Sequence, residues 1–353
     1  MFLGSGASAP FGLPTMIDLV RLFEEELLKP SNESTNDDDK AAEKLYHSIK
    51  VSVTNAYGYA DLESIFSVLK TISEDAKYSD LGFASTYAVS KIRIDPTDTI
   101  YTSNDDIYAK KLLRKYRAFV RRKCQIKNSK DSQITCIYSD LIDKLGTKYK
   151  FQKVKGKDGK EYLYPCYCSI YTTNYDKVIE TYWQGIATIN DLWRTDANNI
   201  SVLNTEKQDG SVLNLIKLHG SLDWFGLDNG EIIKLDSMTS TYGKRKVKGE
   251  FMLYPIQQKD LYLHPWFNLF SRFRQDLQDT KTWLVIGYNF NDEFIRNVFI
   301  EALKRKEEEH ELILVTPCAA EVFESRFRKY KSKVRIVPKK SEMCQLLHKF
   351  VNK

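Results

Sequence analysis

The sequence predicts an α/β fold in which a doubly wound parallel sheet carries a helical insertion. From Cys166 onward, short apolar runs alternate with amphipathic helical segments, a pattern typical of parallel strands joined by helices. The chain also opens with an apolar run over Met1–Leu3, a glycine-rich turn and an amphipathic helix over Thr15–Leu28. This first strand–turn–helix unit would join the same sheet, and the layout is Rossmann-like.

The second half of the chain supplies most of the predicted elements. The predicted strands are Cys168–Thr172, Leu213–Leu218, Trp283–Gly287, Glu311–Thr316 and Lys333–Val337. The predicted helices are Tyr175–Trp183, Pro265–Leu277, Asn291–Arg305, Ala319–Tyr330 and Ser341–Val351. Strands of this length that alternate with helices indicate β–α–β units and therefore a parallel sheet.

The middle of the chain reads as an insertion into the α/β domain. We assign residues 1–30 and 165–353 to the α/β domain and residues 31–164 to a mainly helical insertion. A polar, acidic loop is predicted at Pro30–Lys40. The insertion is then predicted to hold helices at Tyr59–Ile72, Asp105–Lys127 and Ile134–Leu145, followed by a hairpin around Lys157-Asp158-Gly159.

The composition is that of a folded globular protein, since 42% of the 353 residues are hydrophobic and 12% are aromatic. The formal net charge of +6 is modest for this length and does not by itself indicate nucleic-acid binding. Ten Lys and Arg residues lie between Lys110 and Lys130, interleaved with Tyr116 and Phe119. A solvated helix face accounts for them better than direct contact with nucleic acid, which stays open as an alternative.

The cysteines do not form a recognisable metal site. The sequence contains no Cys-x-x-Cys pair, and Cys166 and Cys168 would point to opposite faces of a strand. We therefore expect no zinc or other metal, and buried reduced thiols. The six positions are Cys124, Cys136, Cys166, Cys168, Cys318 and Cys344. We also expect no signal peptide, no membrane span, and a soluble, cytoplasmic protein.

Three short strings, far apart in the chain, are predicted to meet in one site. The first, Gly4-Ser5-Gly6-Ala7-Ser8, would let the backbone approach a pyrophosphate closely, although a helix-capping turn without a ligand uses similar residues. The second, Thr173-Asn174-Tyr175-Asp176, follows an apolar strand, at the edge where open α/β sheets bind ligands. Helix capping by Thr173 or Asn174 is the structural alternative.

The third string places a histidine at the end of an apolar strand. His219 follows Leu215–Leu218 and precedes Gly220, which would leave room for a ligand. A fourth turn follows the strand Trp283–Gly287 and runs through Tyr288, Asn289 and Asp292. Its glycine would allow a nucleotide to approach, and Asn289 or Asp292 would bind ribose hydroxyls. A plain N-cap is an equally good interpretation of Asp292.

These motifs, in this order, resemble the Sir2 (sirtuin-like) family and, within it, the bacterial Sir2-like NAD hydrolases of anti-phage defence. The GSGAS turn looks like the family's Gly-Ala-Gly loop, and TNYD looks like its Gln-Asn-x-Asp motif. His219-Gly220 looks like the catalytic His-Gly pair, and GYNFND like the later nucleotide loop of the defence branch. The sequence offers no counterpart of the four-cysteine zinc module of protein deacylases, and Pro14-Thr15-Met16 replaces their Asp-Phe-Arg segment.

The resemblance implies a reaction and a role for each site residue. NAD+ would be the substrate, cleaved at the nicotinamide–ribose bond to nicotinamide and ADP-ribose. Asn174 would hold water and ribose hydroxyls, His219 would act as the base, and Asp176 would bind the nicotinamide carboxamide. The other implied NAD-binding residues are Gly4, Ser5, Gly6, Ala7, Ser8, Thr173, Gly287, Tyr288, Asn289 and Asp292.

Two other functions stay open at this point. A protein deacylase or an ADP-ribosyltransferase would break the same bond with another acceptor, and a non-catalytic subunit would only bind a nucleotide within an assembly. Because uncontrolled loss of NAD+ would kill the cell, the resemblance also implies gating. We expect a homo-oligomer that docks a HerA-type ATPase, with abortive infection as the outcome.

Overall fold

A computed structural model describes residues 1–27, 37–57, 60, 62–75, 105–126, 151–155, 161–165, 168–182, 189–195, 201–203, 213–237, 239–253, 264–305 and 310–336. The chain divides into two compact units. Unit 1 comprises Met1–Leu13, Gln125–Met252 and Asp260–Lys353, and unit 2 comprises Pro14–Cys124 and Leu253–Lys259. The predicted division at residues 30 and 165 stays a prediction. Its first boundary differs from that of unit 2, which begins at Pro14.

The strands are numbered in chain order. They are β1 Phe2–Leu3, β2 Phe151–Lys155, β3 Glu161–Pro165, β4 Cys168–Thr172, β5 Ile189–Asn190, β6 Trp193–Thr195, β7 Ser201–Leu203, β8 Leu213–Lys217, β9 Gly220–Leu227, β10 Ile232–Lys234, β11 Thr241–Tyr242, β12 Arg245–Met252, β13 Thr282–Ile286, β14 Glu311–Val315 and β15 Val334–Ile336. The α-helices are α1 Ser5–Ser8, α2 Met16–Leu27, α3 Asp37–Tyr57, α4 Leu62–Asp75, α5 Asp105–Lys123, α6 Val178–Tyr182, α7 Trp266–Asp279, α8 Glu293–Lys304 and α9 Ala319–Val322.

Unit 1 contains a seven-stranded sheet in the order β15-β14-β13-β1-β4-β8-β5. Every pairing in it is parallel. Its central strands are nearly continuous apolar runs, with β13 reading TWLVI and β14 reading ELILV, because both faces of a parallel sheet are covered. The predicted α/β class is therefore confirmed, and the strands predicted for this sheet are found within one residue at either end.

The short strand β1 lies in the middle of the parallel sheet. Phe2 pairs in register with Val285 of β13 on one side and with Tyr171 of β4 on the other. Its ring contacts the rings of Phe273 and Phe299, with centroids 5.5 and 5.6 Å apart. A strand of two residues thus connects both halves of the sheet to the helices α7 and α8.

Unit 1 also contains a six-stranded sheet that the sequence analysis did not predict. Its order is β11-β12-β9-β10-β7-β6, and its pairings are antiparallel. The core of this sheet is formed by Phe225, Leu227, Ile233 and Val247, against which Leu235 and Tyr242 pack. Several of its strands are only two or three residues long, and β12 begins with the charged segment Arg245–Lys248, so apolar periodicity was a weak guide here.

Unit 2 is built from the helices α2 to α5. The Phe23 ring lies at its centre and contacts four aromatic rings at centroid distances of 5.2 to 5.7 Å, those of Tyr46, Phe66, Tyr116 and Phe119. On the basic helix α5, Lys111 and Lys115 form ion pairs with Asp39, and Arg122 pairs with Glu26. These acidic partners favour the interpretation of α5 as a solvated helix face.

Other predicted elements are found with changes or lie outside the described residues. The predicted hairpin is confirmed by the antiparallel pairing of β2 with β3, whereas its turn, Lys157–Gly159, lies outside. The predicted helix Ala319–Tyr330 is broken up: α9 is followed by a π-helical turn at Phe323–Phe327 and a 3₁₀ segment at Arg328–Lys333. The predicted helices Ile134–Leu145 and Ser341–Val351 also lie outside, as do residues 30–36 of the predicted loop Pro30–Lys40. The loop prediction is wrong for residues 37–40, which begin the helix α3.

Two further observations bear on the expected thiols and on membranes. Cys124 is buried and Cys318 is half-buried, and neither forms a disulfide. The positions Cys136, Cys166 and Cys344 lie outside the described residues. Among the described helices, we find none with the length and apolar character needed to span a bilayer.

Candidate functional site

The four predicted motifs follow four neighbouring strands of the parallel sheet. The strands β13, β1, β4 and β8 are adjacent in the sheet, and the loop after each one leaves from its carboxyl end. Open α/β sheets bind ligands at this edge. The structure thus brings together all the loops that the sequence analysis selected, all of them within unit 1.

The glycine loop after β1 packs directly on the loop after β13. The Gly4 amide donates to the Ile286 carbonyl at 2.9 Å, and the Gly6 amide donates to the Gly287 carbonyl at 3.0 Å. A Cβ atom on Gly4 would lie 2.5 Å from the Gly287 oxygen, and one on Gly6 would lie 2.8 Å from the Gly287 Cα. Gly287 itself has φ +64°, and a Cβ there would collide with the Ala7 amide nitrogen. These glycines are required for the contact between the two loops.

Asn174 is bound to the glycine loop through its side-chain amide. Its Nδ2 donates to the Gly4 carbonyl at 2.9 Å and to Ser8 Oγ at 3.0 Å. Its backbone amide donates to Thr172 Oγ1 at 3.0 Å, and that hydroxyl donates to the Leu3 carbonyl. Because both amide hydrogens are used in this way, the oxygen Oδ1 is the atom through which Asn174 could bind a ligand, as an acceptor.

Asp176 is a buried carboxyl group beside Asn174. Its Oδ1 accepts from the Val178 amide at 3.0 Å, so Asp176, and not Thr173 or Asn174, binds the first amide of α6. Burial raises the pKa of Asp176, and the nearby Lys217 ammonium opposes that shift. Asp176 and Asn174 line a small cavity together with Leu3, Ala7, Ser8, Thr172, Val178 and Ile179. Thr173 is half-buried.

His219 lies at the end of β8, buried and facing a carboxylate. Its Nε2 is 3.6 Å from Asp292 Oδ2, and both side chains are largely buried. The Phe270 ring lies 6.4 Å from the imidazole ring, measured between centroids. Gly220, which was expected to leave room for a ligand, has φ +81°, and a Cβ there would lie 2.5 Å from the Phe251 carbonyl oxygen. The glycine is therefore explained by its backbone conformation and by this close contact.

Asp292 acts as a helix cap and as the partner of His219 at the same time. Its Oδ1 accepts from the amides of Phe294 at 3.0 Å and Ile295 at 3.3 Å, which caps α8. Capping fixes the carboxylate so that Oδ2 faces His219. The N-cap interpretation of Asp292 thus holds, and the contact with His219 was not predicted.

The remaining predicted residues, in the turn after β13 and in the glycine loop, have mainly local contacts. Asn289 Oδ1 accepts from the Asn291 amide at 3.2 Å. The buried Tyr288 ring packs on the rings of Phe2 and Phe290, with centroids 4.8 and 5.0 Å apart. Ser5 and Gly6 are half-buried, whereas Ala7 and Ser8 are buried. The ligand-binding roles of all these residues stay predictions.

Sequence reasoning missed a buried ionic cluster behind these loops. Lys217 Nζ lies 3.0 Å from Glu180 Oε1, and Lys177 Nζ lies 3.0 Å from Asp223 Oδ2. The available sign was a lysine between the apolar residues Ile216 and Leu218 of a predicted strand, because an ammonium group is rarely buried without partners. For the part of the chain that is described, no group of three or more His, Cys, Asp or Glu side chains is arranged to hold a metal ion.

Comparisons with known proteins gave a family match over the second half of the chain and structural alignments with low scores. Residues 168–335 match the family model of the SIR2-like domain. A search of curated proteins gave no significant match. Among solved structures, a Sir2 homologue in complex with NAD aligns with 99% of this chain and 86% of its own, at 12% identity and a TM-score of 0.42. A Sir2–p53 peptide–NAD+ complex aligns with 99% and 90%, at 10% identity and a TM-score of 0.35. Scores this low carry no argument about activity.

The glycine contact predicts a large loss of stability on substitution of Gly287 by alanine. Gly287→Ala should lower the free energy of unfolding by at least about 3 kcal/mol, because left-handed strain adds to a backbone collision. Gly12→Ala is the matched control: Gly12 has φ +75° but nothing within 4 Å of the added Cβ, so about 1–2 kcal/mol is expected. Equal losses in urea unfolding would contradict this account.

The buried carboxyl of Asp176 predicts that its negative charge lowers the stability of the folded protein at neutral pH. Because its folded-state pKa is raised, its contribution to stability is complete below the usual aspartate pKa of 3.8 and is lost as the pH rises through the folded value. Asp176→Asn keeps the acceptor for Val178 and removes the charge, so the variant should be at least as stable as the wild type at pH 7. The difference should shrink towards pH 4 in urea titrations.

Asp223→Asn is the control, because the pKa of Asp223 is shifted in the opposite direction to that of Asp176. Burial raises the pKa of Asp223, but Lys217, the Ser221 hydroxyl, Lys177 and Lys234 outweigh burial and leave it lowered. This carboxylate therefore stabilises the fold above the usual aspartate pKa, and its removal should destabilise the protein at pH 7. A stability loss in both variants would show that burial of the Asp176 charge does not destabilise the folded protein.

Proposed function

We propose that this chain is an NAD+ hydrolase that cleaves the nicotinamide–ribose bond to give nicotinamide and ADP-ribose. The observation that carries the proposal is the placement of Asn174 and His219 in loops after the adjacent strands β4 and β8. The SIR2-like match over residues 168–335 includes both residues and supports the same assignment.

The chemistry needs few functional groups. The nicotinamide of NAD+ is already a cationic leaving group, so its departure does not require protonation by an acid, and the carboxylate pair of ordinary glycosidases is unnecessary. The protein has to stabilise an oxocarbenium-like ribose and deliver a water molecule. Asn174 Oδ1, which is held as an acceptor, would bind that water or the ribose hydroxyls. His219 would take a proton from the water or from a ribose hydroxyl.

Two carboxylates would assist this reaction from fixed positions. Asp292 faces His219 Nε2 and would stabilise the imidazolium that forms when the base accepts a proton. Asp176, in the cavity beside Asn174, would accept hydrogen bonds from the nicotinamide carboxamide. The glycine loop Gly4–Ser8 and the turn at Gly287–Asp292 would hold the rest of the dinucleotide. These roles make the edge of the sheet complementary to a cationic sugar.

We also propose that the activity serves anti-phage defence and is gated by assembly. An NAD+ hydrolase without control would deplete its own cell, so a gate is needed, and homo-oligomerisation together with a HerA-type ATPase partner would supply it. The acidic partners of Lys111, Lys115 and Arg122 argue against this helix as a nucleic-acid surface. Depletion of NAD+ on activation would then produce abortive infection in the cytoplasm.

The catalytic roles predict that Asn174→Ala and His219→Ala each lower the rate of NAD+ cleavage by about a hundredfold or more, as for a positioned catalytic group. Nicotinamide release is followed by chromatography, and mass spectrometry of the second product separates ADP-ribose from transfer to another acceptor. Arg274→Ala, which removes an exposed ion pair with Glu301 on the helices α7 and α8, is the control and should keep wild-type turnover. Normal cleavage by a folded Asn174 or His219 variant would refute the assignment.

The gating proposal predicts a large homo-oligomer whose NAD+ cleavage changes when a HerA-type ATPase is added. Light scattering coupled to size-exclusion chromatography measures the assembly, and nicotinamide release with and without the ATPase measures the response. A monomer with full activity and no response to the ATPase would contradict the proposal.

A further inference from the structure

Lys217 is a lysine at the end of a strand in the interior of unit 1. It is the last residue of β8, and 5% of its surface is exposed. Removing an ammonium group from water is unfavourable unless hydrogen-bonding partners and counter-charges replace the water. The partners of this group therefore indicate what it does in the fold.

The described hydrogen-bond acceptors of the Lys217 ammonium all lie in the segment that follows β4. Nζ donates to Glu180 Oε1 at 3.0 Å, to the Tyr175 carbonyl at 3.4 Å and to the Asp176 carbonyl. The two carbonyls belong to the turn that carries Asn174. The Lys217 side chain thus binds both the backbone of the turn and the helix α6 that follows it.

The segment after His219 binds the same turn. The Leu222 amide donates to the Tyr175 carbonyl at 3.1 Å, and Ser221 Oγ donates to it at 3.3 Å. The Tyr175 carbonyl is therefore fixed by donors on both sides of His219 in the sequence. These contacts couple the position of the Asn174 turn to that of the His219 loop.

The charged groups around Asp176 and Lys217 come from several elements. Lys217 on β8 and Glu180 on α6 act directly on the Asp176 carboxyl, and they act in opposite directions. Asp223 on β9 faces Lys217 and is balanced by Lys177 at 3.0 Å and Lys234 at 4.0 Å. Lys217 is the group whose positive charge opposes the effect of burial on Asp176.

We propose that Lys217 is a positioning residue for the NAD+ cleavage proposed above: it fixes the Asn174–Asp176 turn against β8 and supplies the positive charge that faces Asp176. The effect of Lys217 on catalysis rests on the proposed function. Its effect on the position of the turn rests on the described contacts alone. Lys217 itself touches no substrate in this account.

The decisive comparison is between Lys217→Met and the double variant Lys217→Met with Glu180→Gln. The single variant leaves Glu180 as a buried carboxylate without its cation and should be destabilised, whereas the double variant should recover most of the stability. Both should lower kcat/KM for NAD+ by about tenfold or more, because the turn is displaced. In both, the acid limb of the pH profile should move to higher pH, since Asp176 loses its neighbouring cation.

A readout that needs no activity separates this inference from the proposed function. Carboxyl carbon NMR of the full-length protein, with Asp176→Asn to assign the signal, gives the titration midpoint of Asp176. The midpoint should be higher in the double variant than in the wild type, because Lys217 acts on the Asp176 carboxyl more strongly than Glu180, which acts in the opposite direction. Lys234→Met, which removes a lysine bound to Asp191 instead of to the turn, should leave it unchanged.

The outcomes are distinct. An unchanged Asp176 midpoint in the double variant overturns the inference whatever the kinetics show. A double variant with the kcat/KM and pH profile of the wild type reduces Lys217 to a structural residue and also overturns it. If the wild type releases no nicotinamide, the proposed function fails, while the midpoint still decides whether Lys217 sets the charge of this turn.

Discussion

The backbone contact between the loop after β1 and the loop after β13 is the constraint on which the rest of the site depends. Gly4, Gly6 and Gly287 approach so closely that no side chain fits between the loops. The contact holds the Gly4 carbonyl where Asn174 Nδ2 can donate to it, and the same strand pairs with β4, from which Asn174 emerges. On the other side, the β13 loop leads to Asp292, which faces His219. A two-residue strand in the centre of the sheet thus links the loops after β13 and β4, and Asp292 links the β13 loop to His219.

Sequence reasoning was accurate where local chemistry decides the outcome. The strands β13 and β14 were found within one residue because both faces of a parallel strand are buried and the apolar run ends where burial ends. His219 was recognised because a polar residue follows such a run. The antiparallel sheet was missed because its strands are short and partly charged, so their pairing depends on contacts between distant segments. For the same reason no local pattern could indicate that Asp292 faces His219 or that Lys217 binds the Asn174 turn. The glycines were found, and the structure shows that Gly4, Gly6 and Gly287 are needed for contact between loops; their role towards a ligand stays a prediction.

Asn174 and Asp292 each use one polar group of the side chain to bind the protein backbone or a neighbouring side chain, and a second polar group faces the site. Asn174 uses its amide hydrogens on the glycine loop, which leaves its oxygen as the group for a ligand. Asp292 uses Oδ1 on the first turn of α8, and its Oδ2 faces the histidine. This arrangement removes the rotational freedom of the side chains before a substrate binds. Groups that are fixed in advance need little reorganisation during the reaction, which is the main source of electrostatic catalysis.

The balance of buried charge suits a cationic substrate. The proposed reaction passes through a ribose with positive charge and begins from a cationic nicotinamide, so an isolated ammonium group near the edge of the sheet would oppose it. Lys217 does not act as an isolated charge, because Glu180 lies 3.0 Å away and Asp223 faces it. The carboxyl groups of Asp176 and Asp292, by contrast, stand in the loops at the edge itself. Lys217 donates to the backbone carbonyls of the turn, whereas the Asp292 carboxylate lies beside His219, the proposed base.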